Sequence, residues 1–256
     1  MRSTIAFASA DIRTAFAIAP VTYPVAAATH CEGCDLRKLC LPADLAPQAV
    51  RSFGSLIGSR TRIRRRDSLF RPGEPFDAIY AIRVGTFKTL MLAEDGREQI
   101  TGFFMAGEIL GADGIGHGHH RCEAVALEDS EVCVLPFHLL EDFAHDVPAF
   151  GHNIYRLISQ DVCRSHNMMF LLGSMRAEQR LVTYLLNLAA RYQARGYSGT
   201  EFVLRMTREE IASMLGLKIE TISRLFTRLH RDGFVQVQGR SIKLLDSLGL
   251  KRITNK

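Results

Sequence analysis

Thr207-Arg-Glu-Glu-Ile-Ala-Ser-Met-Leu-Gly-Leu-Lys-Ile-Glu-Thr-Ile-Ser-Arg-Leu-Phe-Thr-Arg-Leu-His230 decides the fold. Thr207 followed by Glu210 is a capping box, which lets a helix start there. Ile211, Met214 and Leu215 give that helix an apolar face. Gly216 ends it, because glycine tolerates a left-handed turn without steric cost. A second helix is predicted from about Lys218 to His230, with Ile222, Leu225, Phe226 and Leu229 at helical spacing and able to pack inward. Glu220, Thr221, Ser223 and Arg224 then face outward near its start. This is the pattern of a helix-turn-helix whose second helix enters a DNA major groove. Arg can bind guanine in a bidentate way, a carboxylate can accept from cytosine, and Ser can bond several bases. Read alone, the stretch is also compatible with a plain helical hairpin with a solvated polar face. The sequence that follows separates the two. Phe234-Val-Gln-Val-Gln-Gly-Arg-Ser-Ile-Lys-Leu244 alternates apolar and polar around Gly239-Arg240, as a two-stranded wing does.

Composition sets the outer limits. The 256 residues suffice for one large or two ordinary domains, and 47% hydrophobic content suits a globular chain. A net charge of +5 permits nucleic-acid binding without demonstrating it. The local density of Arg205, Arg208, Lys218, Arg224, Arg228 and Arg231 is more telling, since phosphate contacts supply most non-specific affinity. No apolar run reaches the roughly 20 residues of a membrane span. The Ala-rich N-terminus is interrupted by Asp11, Arg13, Pro20 and Pro24, which does not suit a secretory signal. No nucleophile motif points to an enzyme. Residues 1–29 are expected to be a poorly ordered arm.

The second informative stretch is His30-Cys-Glu-Gly-Cys-Asp-Leu-Arg-Lys-Leu-Cys40, spaced Cys-x2-Cys-x5-Cys. Three of the six cysteines within ten residues suit metal binding in a reducing cytoplasm better than disulfides. Thiolates at Cys31, Cys34 and Cys40 could wrap an iron–sulfur cluster or a zinc ion, and the spacing does not separate them. Zinc would have His30 as a further donor. A cluster would draw its fourth ligand from elsewhere, with Cys122 and Cys133 as candidates. Cys163 lies at helical spacing in an apolar pattern and reads as core or interface packing.

Between Phe53 and Phe137 the pattern is one of short strands and frequent turns, implying an antiparallel barrel or roll. Arg71-Pro-Gly-Glu-Pro75 is a turn, Val84-Gly-Thr-Phe-Lys-Thr-Leu-Met-Leu92 reads as one strand, and Glu94-Asp-Gly-Arg97 as a hairpin turn. His117-Gly-His-His120 reads as a solvated loop, with metal binding the weaker alternative. Residues 148–172 form a long helix opened by Pro148. Ile154, Leu157, Ile158, Asp161, Val162, Ser165, Met168, Met169 and Leu172 make a near-heptad stripe that suggests a dimer seam. Gly173-Ser174 marks a boundary, and a further helix spans Met175 to Arg195.

Taken together, Cys-x2-Cys-x5-Cys, Val132-Cys-Val-Leu-Pro-Phe137 and Ile219-Glu-Thr-Ile-Ser-Arg224 resemble the fumarate–nitrate reductase regulator (FNR) branch of the cyclic-AMP receptor protein superfamily. The resemblance spans about His30 to Leu245. It implies an α+β fold in which an N-terminal antiparallel β-roll, like that of cyclic-nucleotide-binding domains, is joined by a long dimerisation helix to a C-terminal winged helix-turn-helix domain. The divisions are 1–29, 30–147, 148–173 and 174–256. It implies an oxygen-labile 4Fe–4S cluster on Cys31, Cys34, Cys40 and Cys133, and base contacts from Glu220, Ser223 and Arg224. A homodimer would read a palindrome of TTGAT half-sites when the cluster is intact. RNA polymerase would be a partner, through loops such as Glu94 to Arg97, and the cytoplasm the place of action. The alternative is a regulator of the same fold that senses a small molecule or uses structural zinc. Three departures stand out. Lys218 replaces the usual hydroxyl N-cap. Ser165 stands where the dimer helix usually carries a negative residue, which leaves Asp161 as the charge opposing dimerisation. Gly107-Glu-Ile-Leu-Gly-Ala112 and Arg121-Cys122 break the cyclic-AMP pocket pattern, which argues against nucleotide sensing.

Overall fold

The computed structural model describes residues 31–42, 45–93 and 95–254. The expected arm, His30 and Glu94 lie outside them. Helices α1 (Arg37–Cys40) and α2 (Pro47–Leu56) precede eight strands. These are β1 (Ser59–Ile63), β2 (Ser68–Phe70), β3 (Ala78–Val84), β4 (Thr86–Leu92), β5 (Glu98–Met105), β6 (Ile109–Leu110), β7 (Glu123–Ala126) and β8 (Ser130–Pro136). They form two antiparallel sheets, ordered β1-β8-β3-β6 and β2-β7-β4-β5. The roll expected from the turn spacing is thus two facing sheets.

Alternation along β3 and β8 explains what the first sheet covers. Ala78, Ile82, Val132 and Val134 point into the roll against Phe70 and Phe87. Ile79, Ala81 and Leu135 point the other way, against Leu41, Val50, Phe53, Leu140, Phe143 and Phe150. Burial on both faces accounts for the near-continuous apolar run of these strands. The second face is roofed by α2, by α3 (Phe137–Asp146) and by the start of α4 (Pro148–Ser174).

Two expectations are corrected. Val84 to Leu92 is not one strand: β3 and β4 belong to different sheets, and the chain turns the corner at Gly85 with φ +100°. A side chain there would strike Ser130 as well as strain the backbone. The long helix runs on to Ser174, two residues past the expected 172, with Met175 as its extended C-cap. Arg180 fixes that stop, donating Nε to the Met175 carbonyl at 3.0 Å and Nη2 to the Leu172 carbonyl at 2.7 Å.

The C-terminal part comprises α5 (Ala177–Gln193), β9 (Glu201–Val203), α6 (Arg208–Leu215), α7 (Ile219–Arg231), β10 (Val235–Gln238), β11 (Ser241–Leu244) and α8 (Ser247–Thr254). The capping box closes as expected: the Glu210 N–H donates to Thr207 Oγ1 at 3.1 Å, and the Thr207 N–H to Glu210 Oε2 at 2.7 Å. Gly216 sits at φ 61° between the two helices. Ile222, Phe226 and Leu229 are buried. The wing strands pair around Gly239, and β9 adds a third strand that the sequence pattern does not announce. This part packs on the roll. Leu90, Ile100, Phe103 and Met105 of β4 and β5 share one core with Leu181, Leu185, Leu188, Ile211 and Leu215. Lys88 Nζ meets Glu210 Oε1 at 2.9 Å across that contact.

Candidate metal centre and nucleic-acid interface

The cysteine stretch is a series of tight turns. The Cys34 N–H donates to the Cys31 carbonyl at 3.3 Å, the Arg37 N–H to the Cys34 carbonyl at 3.0 Å, and the Cys40 N–H to the Leu36 carbonyl at 3.2 Å. Cys133 lies in the middle of β8, opposite Arg60 of β1 and Ala81 of β3. Strand alternation turns it toward the α1–α2–α3 side, with Leu135. Cys31, Cys34, Cys40 and Cys133 all line one cavity with apolar walls, and Ile154, Leu157 and Ile158 of α4 close it. Cys122 does not join them. It lines a separate, wider cleft, where its thiol donates to Asp113 Oδ2 at 3.4 Å. Cys163 is exposed on α4 rather than part of a core.

Burial pushes the Cys31 thiol up to about 11, with the neighbouring Cys133 and Cys34 adding to it against Arg60 and Arg37. Burial likewise pushes Cys40 up to about 12, reinforced by Cys34, Cys133 and Cys31. Cys133 is raised by burial against the opposing pull of Arg60. Buried thiols of this kind keep their protons until a cationic centre replaces them, so metal loading here would release protons. The donor set therefore fits a thiolate-bound group. Among the described residues, no three His, Cys, Asp or Glu side chains converge on a point that would hold a single metal ion. The cysteines surround a cavity instead.

Two residues that sequence reasoning missed tie this centre to α4. Asn153 is buried, and its Nδ2 donates to the Cys40 carbonyl at 3.2 Å. Arg156 holds Asn153 Oδ1 with Nε at 3.1 Å and Nη2 at 2.6 Å. Their spacing, three apart on the first turns of a helix, was the available signal. Of the stripe, Ile154 packs into the cysteine-side core, while Leu157, Ile158, Asp161 and Ser165 border the wide cleft. Val162 and Met169 are exposed. Nearly the whole of 158–170 is exposed. Asp161 is not unaccompanied: Arg164 Nη1 lies 3.7 Å away, and the Ser165 hydroxyl donates to the Asp161 carbonyl at 3.0 Å.

The polypeptide also accounts for the pocket glutamate. Glu108 is largely covered by α5, its side chain 12% exposed, where Arg191 Nη2 approaches at 2.6 Å and Arg195 Nη2 at 2.8 Å. The histidine loop is not wholly solvated. His120 is 1% exposed, stacks on Phe70 at 3.8 Å between ring centroids, and meets Asp113 at 3.2 Å. Burial opposes ionisation of Asp113, but His120 and the Arg121 N–H outweigh it and hold that carboxyl at about 2.

On α7, Glu220 and Arg224 are exposed and Thr221 and Ser223 half-buried, so these four share one accessible face. Lys218 caps the helix with no side-chain bond, as the missing hydroxyl suggests. The basic cluster divides. Arg228 and Arg231 pair with Asp232, Arg205 with Glu128, and Arg208 lies over the Phe226 ring at 5.2 Å. Among the described residues no ion pair engages Arg224.

Comparison with known proteins agrees with this architecture. The family described as Crp-like helix-turn-helix domain matches residues 179–253, and the cyclic nucleotide-binding domain family matches residues 60–146. The chain is 44% identical to the "Transcriptional regulatory protein btr" of Bordetella pertussis, over 88% of this chain and 93% of that protein. It is 40% identical to the "Fumarate and nitrate reduction regulatory protein" of Salmonella typhimurium, over 86% of this chain and 88% of that one. Against "Transcriptional activator protein anr" of Pseudomonas aeruginosa the identity is 37%, over 86% and 91%. Among solved structures, FixK2 from Bradyrhizobium japonicum superimposes with a TM-score of 0.71 at 26% identity, covering 76% of this chain and 96% of that one. No helix among the described residues is long and apolar enough to cross a membrane. With a winged helix-turn-helix on a roll and such identity along most of its length, the chain belongs to the FNR-type branch of the CRP/FNR family, DNA-binding transcription regulators and not enzymes.

Proposed function

We propose that the protein is an oxygen-responsive global transcription regulator. It acts in the cytoplasm as a homodimer on palindromic FNR-type sites and controls anaerobic gene expression while a 4Fe–4S cluster is held by Cys31, Cys34, Cys40 and Cys133. The observation that carries this reading is the shared cavity of four cysteines whose far wall is α4. Four thiolates spread around a cavity suit a multi-iron centre, in which each binds a different iron, better than one tetrahedral zinc. When bound, the cluster supplies an oxygen-labile centre. The chain's own residues do the rest. Cys31, Cys34 and Cys40, drawn toward Cys133, fix α1 on β8. The Cys40 carbonyl then holds Asn153, and Asn153 with Arg156 sets the first turns of α4. Ile154, Leu157, Ile158, Asp161, Val162, Ser165 and Met169 form the seam with a second copy. On this division, residues 30–147 are the sensor, 148–173 the dimerisation helix and 174–256 the DNA-binding domain. The hairpin tip at Asp95 to Arg97 faces RNA polymerase. A nucleotide in the roll is disfavoured because Glu108 is already engaged by Arg191 and Arg195.

Glu220, Thr221, Ser223 and Arg224 read the half-site. For Arg224→Ala, discrimination at one guanine per half-site should fall by about 1–3 kcal/mol. Competition between the cognate duplex and scrambled DNA measures it, and an equal loss on both would assign Arg224 to phosphate instead. Asp161→Ala removes a like-charge contact across the seam, so the air-exposed protein should be more dimeric by light scattering. Arg164 and solvent already blunt that charge, which limits the gain to about 1 kcal/mol per subunit. An unchanged aerobic oligomeric state would count against Asp161 as the opposing charge. The reading as a whole is tested by DNA binding before and after air. Anaerobic protein should retain the palindromic duplex and release it on exposure, and equal binding in both conditions would refute oxygen control.

A further inference from the structure

Among the described residues, two buried polar side-chain atoms have no hydrogen-bond partner: Tyr184 Oη and Arg60 Nε. Tyr184 belongs to the core shared by α5 and the roll, beside Phe103. Arg60 is different because of what stands opposite it. Strands β1 and β8 pair so that Arg60 faces Cys133 directly. Opposed residues of an antiparallel pair carry their side chains on one face, about 4.5–5.5 Å apart at Cβ. The alternation agrees. Ser59 and Thr61 stand opposite Val134 and Val132, which point into the roll, so Arg60 points to the cysteine side.

A buried N–H without an acceptor is costly, and native folds keep such a group where something bound makes use of it. Among the described residues no ion pair engages the Arg60 guanidinium. Glu131, two residues before Cys133 on β8, is already held by Arg83 Nη1 at 2.7 Å and Arg62 Nε at 3.8 Å. What Arg60 does act on is sulfur. It opposes the rise of the Cys133 thiol by charge and by hydrogen bonding, and that of Cys31 by charge. Cys40 is countered from another side, by Arg195 of α5. Arg60 therefore stands at the Cys31–Cys133 side of the centre. A sulfur that has exchanged its proton for iron is anionic, and a charged donor bonds an anionic acceptor about twice as strongly as a neutral one. Hydrogen bonds to the sulfurs and the local charge are among the factors that set the potential of an iron–sulfur cluster.

We propose that Arg60 is a positioning residue for the iron–sulfur centre, donating its buried Nε–H to sulfur at the Cys133 corner of the bound cluster and so raising the cluster's reduction potential. The proposal rests on the 4Fe–4S reading above. Its test uses the full chain, purified and reconstituted without oxygen, as wild type, Arg60→Gln and Arg60→Met. Glutamine places an uncharged amide nitrogen, and methionine a methyl group, as many bonds from the backbone as the arginine Nε. In a spectroscopic redox titration, Arg60→Met should shift the one-electron reduction equilibrium at least about tenfold toward the oxidised form, about 59 mV. Its visible absorbance should bleach at least about threefold faster in air. Arg60→Gln keeps a donor at the same place and should recover at least about half of the shift on a logarithmic scale. Without iron, Arg60→Met should be no less stable than wild type to urea, because there the Nε–H has no bond to lose. Failure of Arg60→Met alone to load iron, with Arg60→Gln loading, would support the same assignment through iron content. A wild-type potential in Arg60→Met would overturn the proposal. So would Arg60→Gln matching Arg60→Met in potential or in iron loading, which would leave no part for the N–H. A loss of urea stability in iron-free Arg60→Met would also overturn it, by making Arg60 a structural residue. If wild-type protein held zinc and no sulfide, the cluster reading itself would have failed, which is a separate result.

Discussion

Cys133→Ala is expected to strip the protein of iron and of anaerobic DNA binding together. Cys133 is the member of the four that is distant in sequence from the other three, and it is the one fixed in the roll by strand pairing on both sides. Alanine fits a strand position that already tolerates a small side chain, so the sheet should form and only the sulfur is lost. Without it Cys31, Cys34 and Cys40 have nothing to draw them onto β8, and the Asn153 contact loses its reference point. Iron should fall from about four per chain to below about one. Turning a two-state protein from mostly one state to mostly the other takes about 5.5 kcal/mol. Losing even half of that bias weakens binding to the palindrome about a hundredfold. Cys122→Ala is the control, because Cys122 lies in the other cleft with its thiol on Asp113. It should keep both iron and DNA binding. Full iron in Cys133→Ala, or its loss in Cys122→Ala, would assign the fourth ligand elsewhere.

Glu108→Gln is expected to loosen the seat of the C-terminal domain on the roll by about 3–5 kcal/mol, the usual cost of leaving buried charges unpaired. Arg195 is 6% exposed in its side chain and Arg191 19%, so water cannot readily replace the carboxylate. Arg195 also donates Nε to the Ala106 carbonyl at 2.6 Å, which keeps it in place after the substitution. Burial opposes the charge on Glu108, yet Arg191 and its hydrogen bond prevail, with Arg164 and Arg195 adding to them, and hold the carboxyl below its usual range. A depressed carboxyl stabilises the folded state above the unfolded-chain value near about 4.3, and that contribution is lost as pH falls through the lower folded value. Wild type should therefore lose this part of its stability on acidification below about pH 4, while Glu108→Gln lacks that component of the pH dependence. Urea unfolding across pH reads both effects. A variant within about 0.5 kcal/mol of wild type would show that the pair is energetically idle.

Much of this was written locally in the chain. The capping box at Thr207 and Glu210, the break at Gly216 and the apolar face of α7 are short-range signals, and each is where the pattern puts it. The cysteine spacing is equally local. What could not be read was set by partners distant in sequence. Val84 to Leu92 alternates like one strand, and only the Ser130 side chain packed against Gly85 shows why the chain must turn there. Helices α2 and α3 went unseen because short apolar runs beside strands carry no decisive period. Strand β9 is three residues long, and its pairing with β11 is non-local. His120 looked like part of a solvated loop, but Phe70 and Asp113 bury it. Likewise nothing near Glu108 in sequence announces Arg191 and Arg195, which come from a helix more than eighty residues later. The choice of Cys133 over Cys122 came from family resemblance, and local chemistry did not supply it.

Purification without oxygen, followed by iron, acid-labile sulfide and zinc analysis with a visible spectrum before and after air, goes to the heart of the matter. About four iron and four sulfide per chain are expected, with visible absorbance that bleaches in air. Stoichiometric zinc without sulfide, or a spectrum indifferent to air, would contradict oxygen sensing. The protein would then be a DNA-binding regulator whose signal lies elsewhere in the roll.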